Sequence, residues 1–201
     1  MKLAVTVGFD ADLPVRALAN LKATHIYLLR ASTGGEGDEK SAAAVRQLIK
    51  VLGRGEERVI DLRDLATGLR QLAEVDFDAV ALAGGPRALV LLAFVAAVLK
   101  KAKVYIVPEY SYDAIDATGL AAVAYLYPLS KAKLRVLANL TDGVEVDQLA
   151  RELGLDTSTV YRHLDALTEA GLVTAEGKRG RRYRVDQLTV TIAAIMAQLN
   201  T

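Results

Sequence analysis

Two hydropathy rhythms in one chain predict an α/β protein, with a doubly wound parallel sheet over residues 1–127 and a C-terminal winged helix-turn-helix over 128–201. In the first part, short β-branched runs alternate with helical patterns. In the second, three helical patterns lead into a glycine-tipped hairpin pattern and a final amphipathic helix. Five cations (Lys178, Arg179, Arg181, Arg182 and Arg184) crowd that hairpin within seven residues.

The strands of the first part are read at Leu3–Val7, His25–Leu29, Arg58–Leu62, Ala79–Leu82 and Val104–Val107. Continuous apolar character marks strands covered on both faces. Residues 41–53 place Val45, Leu48, Ile49 and Leu52 at helical spacing, with Gly53 as a stop. Segment 65–74 and the apolar run after Gly85 predict two more helices. Strand-helix alternation implies right-handed crossovers and a parallel sheet. Ligands of such sheets bind beyond the carboxyl ends of the strands, where strand order reverses.

Three loops in that position are rich in glycine or small polar residues. Gly8-Phe9-Asp10 follows the first strand, with Asp10 or Asp12 expected to cap the next helix. Ser32-Thr33-Gly34-Gly35 follows the second. Gly84-Gly85-Pro86-Arg87 follows the fourth. Here paired glycines admit close backbone approach, Pro86 suits a first helical position, and Arg87 adds charge to helix-terminal amides that can hold an anion. A plain strand-to-helix turn with a surface arginine is the competing reading.

Familiar nucleotide motifs fail. The first turn lacks G-x-G-x-x-G, and Gly34–Ser41 misses the P-loop pattern because Glu39 replaces its second glycine. Glu36 and Asp38 add negative charge where phosphates would lie, so an acidic loop is expected instead. His25 lies in an apolar strand and is expected in the core. No catalytic constellation emerges, and no metal site or cofactor is expected.

In the second part, Pro128 marks the boundary, after a segment (Ala121–Tyr127) read as strand or linker. Lys131–Leu140 and Glu145–Leu153 are the first two helices, and Gly154 occupies the turn. Asp156 is expected to cap a third helix ending near Gly171, with Val160, Leu164 and Leu167 buried. Its early residues, Thr157, Ser158, Thr159, Tyr161 and Arg162, can reach bases and phosphates of double-stranded DNA. Asp165 and Glu169 would repel DNA, which favours entry by the N-terminal end. Tyr183 and Val185 should face the core while Arg182 and Arg184 point outward. The five basic side chains suit phosphate contacts from a wing. In Asp186–Asn200, Leu188, Ile192, Ile195 and Leu199 form a heptad-like stripe, expected to serve a homodimer, with the domain's own core as the other partner.

Composition limits the remaining classes. Apolar residues make up 52% and charged residues 24%, and there is no cysteine, so disulfide and thiolate chemistry are excluded. Net charge is +1, so nucleic-acid binding must rest on charge distribution. The chain opens on a strand pattern, Lys2–Val7, so a secretory leader is not expected. The longest apolar stretch, Ala88–Leu99, has 12 residues, too few to span a membrane. A cytoplasmic protein is expected.

The elements L-A-x-x-L-G-L, S-T-V-Y-R-H-L and E-A-G-L-V within Val146–Val185 resemble the winged helix-turn-helix of prokaryotic regulators. With the opening V-T-V-G-F-D and with A-L-A-G-G-P-R before a long apolar helix, the whole chain resembles the archaeal CRISPR-associated Rossmann-fold (CARF) regulators. The resemblance implies a non-enzymatic regulator of CRISPR-Cas genes. It implies a homodimer whose Rossmann-like domains together bind a cyclic oligoadenylate, commonly cyclic tetra-adenylate. It assigns the ligand to Gly8, Phe9, Asp10, Ser32, Thr33, Gly34, Gly84, Gly85, Pro86 and Arg87. Two alternatives stay open: a different nucleotide or small anion as effector, and slow cleavage of the ring.

Overall fold

β1 (Lys2–Val7) shows why the first half of the chain is so apolar: Leu3 and Val5 enter one core, Ala4 the other, and none has any exposure. Such a strand must lie inside a sheet with helices on both faces. The structure, a computed structural model, describes residues 1–141, 144–177 and 181–199. It divides the chain into two compact units, Met1–Thr118 and Gly119–Thr201. The sequence suggests a division at 127/128, but Ala122 and Leu126 are buried in the second unit's core.

In the first unit β1 pairs in parallel with β2 (His25–Ser32) on one side and β4 (Ala79–Leu82) on the other. β3 (Glu56–Asp61) lies beyond β2, and β5 (Lys103–Ile106) beyond β4. A short antiparallel strand, β6 (Ile115–Asp116), was not evident from the sequence. The order is therefore β3-β2-β1-β4-β5-β6. Strand order reverses between β1 and β4.

Helices α1 (Asp12–Asn20) and α2 (Gly37–Leu52) cover one face, packing Ala17, Val45 and Leu48 on Leu3, Val5 and Leu28. Helices α3 (Leu65–Glu74) and α4 (Arg87–Lys100) cover the other, packing Leu72, Leu89, Ala93 and Ala97 on Ala4, Leu29 and Val80.

Several sequence expectations change. β2 runs on to Ser32, so that residue is the last of a strand, paired in register with Asp61. β3 is not a buried strand: Glu57 to Val59 are exposed and only Ile60 is fully buried. It is an edge strand, and its charges blunt the open edge, with Glu57 paired to Arg30 and Glu56 to Arg58. His25 is correspondingly not a core residue. It opens β2 at the exposed amino end of the sheet, with Nε2 3.2 Å from Glu56 Oε2. α2 begins at Gly37, four residues before the expected start, so Asp38 and Glu39 are helical first-turn residues and not part of a loop.

Two helical turns, α5 (Thr118–Ala121), which begins on the last residue of the first unit, and α6 (Val123–Leu126), stand in place of the expected strand or linker. α7 (Lys131–Ala138), α8 (Val146–Leu153) and α9 (Thr157–Glu169) form a three-helix core. It buries Leu134, Leu137, Leu149, Val160, Leu164 and Leu167. A two-stranded hairpin of β7 (Thr174–Glu176) and β8 (Arg182–Arg184) follows, then α10 (Gln187–Leu199). α10 lies against α7 and buries Ala193 in its own unit's core. Its expected stripe splits: Ile192 packs inward, whereas Ile195 and Leu199 remain 51% and 76% exposed. Among the described residues no helix is long and apolar enough to cross a membrane, and no cluster of His, Asp or Glu could hold a metal ion.

Gly68 supplies a test of the packing between α3 and the sheet. Replacing a helical glycine with alanine ordinarily stabilises by about 0.5–1 kcal/mol. A Cβ here would lie 2.6 Å from the Asp61 carbonyl and 3.2 Å from Leu92 Cδ1. Overpacking of that kind costs about 1–3 kcal/mol and outweighs the propensity gain. Gly68→Ala is thus expected to lower stability in urea unfolding, and a rise would contradict this packing.

Candidate functional site

The loops after β1 and β4 meet backbone to backbone. A Cβ on Gly8 would lie 2.7 Å from Gly85 N, so no side chain fits between them. Gly85 adopts φ +99°, a conformation open to glycine. Thr6, fully buried in β1, ties the loop down: its Oγ1 accepts from Ala83 N at 3.0 Å and Gly84 N at 3.2 Å. The chain then turns at Pro86 into α4. Pro86 is the cap and Arg87 the first helical residue, one position on from the sequence expectation. No side chain caps this helix, and its first backward amide bond runs from Val90 to the Pro86 carbonyl. The first-turn amides of α4 have no side-chain cap and Arg87 beside them is exposed, and a helix start of this kind can receive an anion.

Ser32, Thr33 and Gly34 are differently disposed. Asp38, from the first turn of α2, accepts from Thr33 N at 2.9 Å, Gly34 N at 2.9 Å, Thr33 Oγ1 at 2.8 Å and Ser32 Oγ at 3.3 Å. These donors, expected to face a ligand, already hold a carboxylate. The Thr33 amide, first, and then the Thr33 hydroxyl keep the Asp38 carboxyl below the ordinary aspartate value of 3.8. Asp10 behaves as expected of a loop aspartate, accepting from Asp12 N at 2.9 Å, although Ala11 holds the formal cap position. Phe9 is exposed beside α2.

Neighbouring residues that the sequence did not single out complete this rim. Arg63 is held bidentate by Asp61 at 2.9 and 2.7 Å, which draws the Asp61 pKa down to about 2. Its Cδ lies 3.8 Å from where a Gly34 Cβ would be. Lys40 Nζ stands 6.0 Å from the Phe9 ring centroid. Tyr110 and Tyr112 project from the loop after β5, with Arg16 4.6 Å over the Tyr112 ring. Their one sequence signal was an aromatic pair, Tyr110-Ser-Tyr112, directly after a parallel strand.

In the second unit Gly154, at φ +65°, makes the tight turn from α8 to α9. Asp156 occupies the cap position, but its carbonyl, not its side chain, accepts from Thr159 and Val160. Ser158, Tyr161 and Arg162 are exposed, and Thr157 and Thr159 half-buried. Burial lowers the His163 pKa, helped by Arg162 and Lys133, so this ring stays neutral near pH 7. The acids further along α9 are not all unopposed: Asp165 accepts from Arg181, the residue before β8, at 2.8 Å. Tyr183 is buried between outward Arg182 and Arg184, as the alternation predicted, and Arg184 lies 3.4 Å from Glu176. Among the described residues Arg162 and Arg182 are in no ion pair. Lys178 and Arg179, the other expected wing cations, lie outside the described residues.

The sequence profile of the Csa3 CRISPR-associated Rossmann-like domain matches residues 1–117, and that of a helix-turn-helix domain matches 129–176. The chain belongs to the Csa3 family. It is 43% identical over 197 residues to Csa3 of Thermoproteus tenax, a CRISPR locus-related protein whose name carries DNA binding as a proposal. The match covers 98% of this chain and 97% of that protein. Solved structures are more distant. A transcriptional regulator from E. coli, 23% identical, aligns with 41% of this chain and 90% of its own, at a TM-score of 0.32. Can2 of Sulfobacillus thermosulfidooxidans, solved with cyclic tetra-adenylate, is 10% identical, at a TM-score of 0.45 over 99% of this chain and 66% of its own. At such scores neither bears on function.

For this Csa3 family member, the Asp38 contacts predict a measurable acid transition. The Thr33 and Gly34 amide resonances should titrate together, with a midpoint below 3.8, and should lose that titration in Asp38→Asn. A midpoint at or above that value would contradict the bonded loop.

Proposed function

We propose that this chain is a DNA-binding transcriptional regulator of CRISPR-Cas genes whose first unit senses a cyclic oligoadenylate, most simply cyclic tetra-adenylate, as a homodimer. The observation that carries the DNA half is the exposure of Ser158, Tyr161 and Arg162 at the start of α9, beside a basic hairpin. A helix entering the major groove by that end leaves Asp165 and Glu169 outside it. The Asp165–Arg181 pair removes part of the repulsion that remains.

The sensing half is supported by the glycine contact at the reversal point and by the uncapped start of α4 with Arg87. A ring of phosphates has two-fold character, which suits a site shared by two copies. Apolar side chains at Leu91, Val95 and Leu99 recur every four residues along an exposed face of α4, and Ile195 and Leu199 do so on α10. Both faces are suited to pairing.

One observation favours a smaller effector. Asp38 occupies the donors of the second loop, which leaves fewer groups for phosphates than three open loops would. A different nucleotide or small anion held at Arg87 alone fits that arrangement.

Fluorescence anisotropy with promoter DNA from the chain's own CRISPR locus tests this function. Salt-dependent binding that changes on adding cyclic tetra-adenylate is the expected result, and sequence-independent binding unmoved by the ring would contradict it. Arg162→Ala and Arg182→Ala should each lower the salt slope by about one. Arg181→Ala should lower it less, because that cation is already engaged by Asp165.

A further inference from the structure

Phe9 is 64% exposed on the loop after β1, one residue past the Gly8–Gly85 contact. An exposed aromatic ring alone is unremarkable on a protein surface. This one is seated. A Cβ on Gly37 would come within 3.0 Å of Phe9 Cζ and 3.2 Å of Cε1, so the missing side chain at the start of α2 is what makes room for the ring. Lys40, one helical turn on, places its ammonium 6.0 Å from the ring centroid, at the outer limit of a cation–π contact. The glycine-rich segment that failed as a P-loop therefore provides the seat of an aromatic side chain.

The charge around the seat distinguishes the part of a ligand it can take. Glu36, Asp38 and Glu39 surround the start of α2, and Asp38 already holds the amides of Thr33 and Gly34. A phosphate placed here meets carboxylates and finds those donors taken. A neutral heterocycle meets neither difficulty, and an exocyclic amino group on it is a donor for the acids. Lys40 is the cation of this side and stands over the ring itself, and Glu39 is paired to Arg46; a second cation, Arg87, lies at the uncapped start of α4, beyond the Gly8–Gly85 contact.

We propose that Phe9, seated on Gly37, is the stacking platform for a purine base, with the phosphates of the same ligand directed toward Arg87. This rests on the nucleotide-sensing reading and names which end of the crevice takes which part of the ligand. Phe9 touches the base. Gly37 is a positioning residue that acts through the ring.

The chain has no tryptophan, so Phe9→Trp introduces a single fluorophore at the platform. The full-length variant is titrated with cyclic tetra-adenylate and, as a base-free control, ribose 5-phosphate. Emission should change with the adenylate and not with the sugar phosphate. In calorimetry Phe9→Ala should weaken cyclic tetra-adenylate binding roughly 5- to 150-fold for each stacked base. Gly37→Val should weaken it comparably by unseating the ring. Phe9→Trp retains an aromatic surface and keeps the test decisive if the alanine variant does not fold. Full affinity in folded Phe9→Ala, or an equal response to ribose 5-phosphate, would overturn the platform and leave the sensor reading intact. A wild-type chain that binds no cyclic tetra-adenylate, with a Phe9→Trp chain unmoved by it, would overturn both.

Discussion

The contact between Gly8 and Gly85 is the constraint on which the carboxyl end of the sheet depends. Strand order reverses between β1 and β4, so their following loops leave toward opposite faces. Elsewhere in a doubly wound sheet this parting leaves a crevice open to side chains. Here the two backbones close it at its base, with 2.7 Å between a notional Gly8 Cβ and Gly85 N. The Thr6 hydroxyl, buried and bonded to two amides of the β4 loop, fixes the height at which they meet. The direction of α4 and the position of Arg87 follow, because Pro86 holds the chain rigidly between the glycines and the helix.

The same crevice is electrically uneven. On the α4 side lie an uncapped helix start and a cation. On the α2 side lie three acids, one of which has filled the loop donors, with Lys40 standing over Phe9. The donors of the second loop are therefore closed to an anion, and the hydrogen bonds that lower the Asp38 pKa keep them so into acid pH. In the second unit a comparable economy is found on α9. Its acids would oppose DNA, yet Asp165 serves as an anchor for the hairpin through Arg181. A residue that looks unfavourable for binding positions the element that favours it.

Much of this was legible in the sequence, and what was not has common causes. The parallel sheet, the helix-turn-helix, the buried face of α9 and the alternation around Tyr183 are periodic, and periodicity is set by local geometry that every residue reports. β3 was misplaced because an apolar-looking run does not reveal whether a strand has one neighbour or two, and His25 because it does not reveal which residue lies at the strand's exposed end. The edge is visible only in the pairing. The early start of α2 was hidden by Gly34, Gly35 and Gly37, which read as loop, although Gly37 is there for Phe9 and not for a turn. Ser32, Thr33 and Gly34 were legible as donors, but their partner, Asp38, was read as an acid that repels phosphate. That it neutralises the loop from within depends on a helix start that the glycines concealed. Thr6 and Arg63 gave no signal, since one polar residue in a strand and one arginine after another carry no spacing.

The central claim is that the backbone contact at the strand reversal shapes a site for an anionic nucleotide. It is tested most directly by calorimetry of the full-length chain with cyclic tetra-adenylate, comparing wild type with Gly8→Ala after circular dichroism has confirmed that both are folded. Saturable binding in the wild type that is lost or at least about tenfold weaker in Gly8→Ala, equivalent to about 1.4 kcal/mol, is the predicted result. Equal affinity in the two folded chains would contradict it.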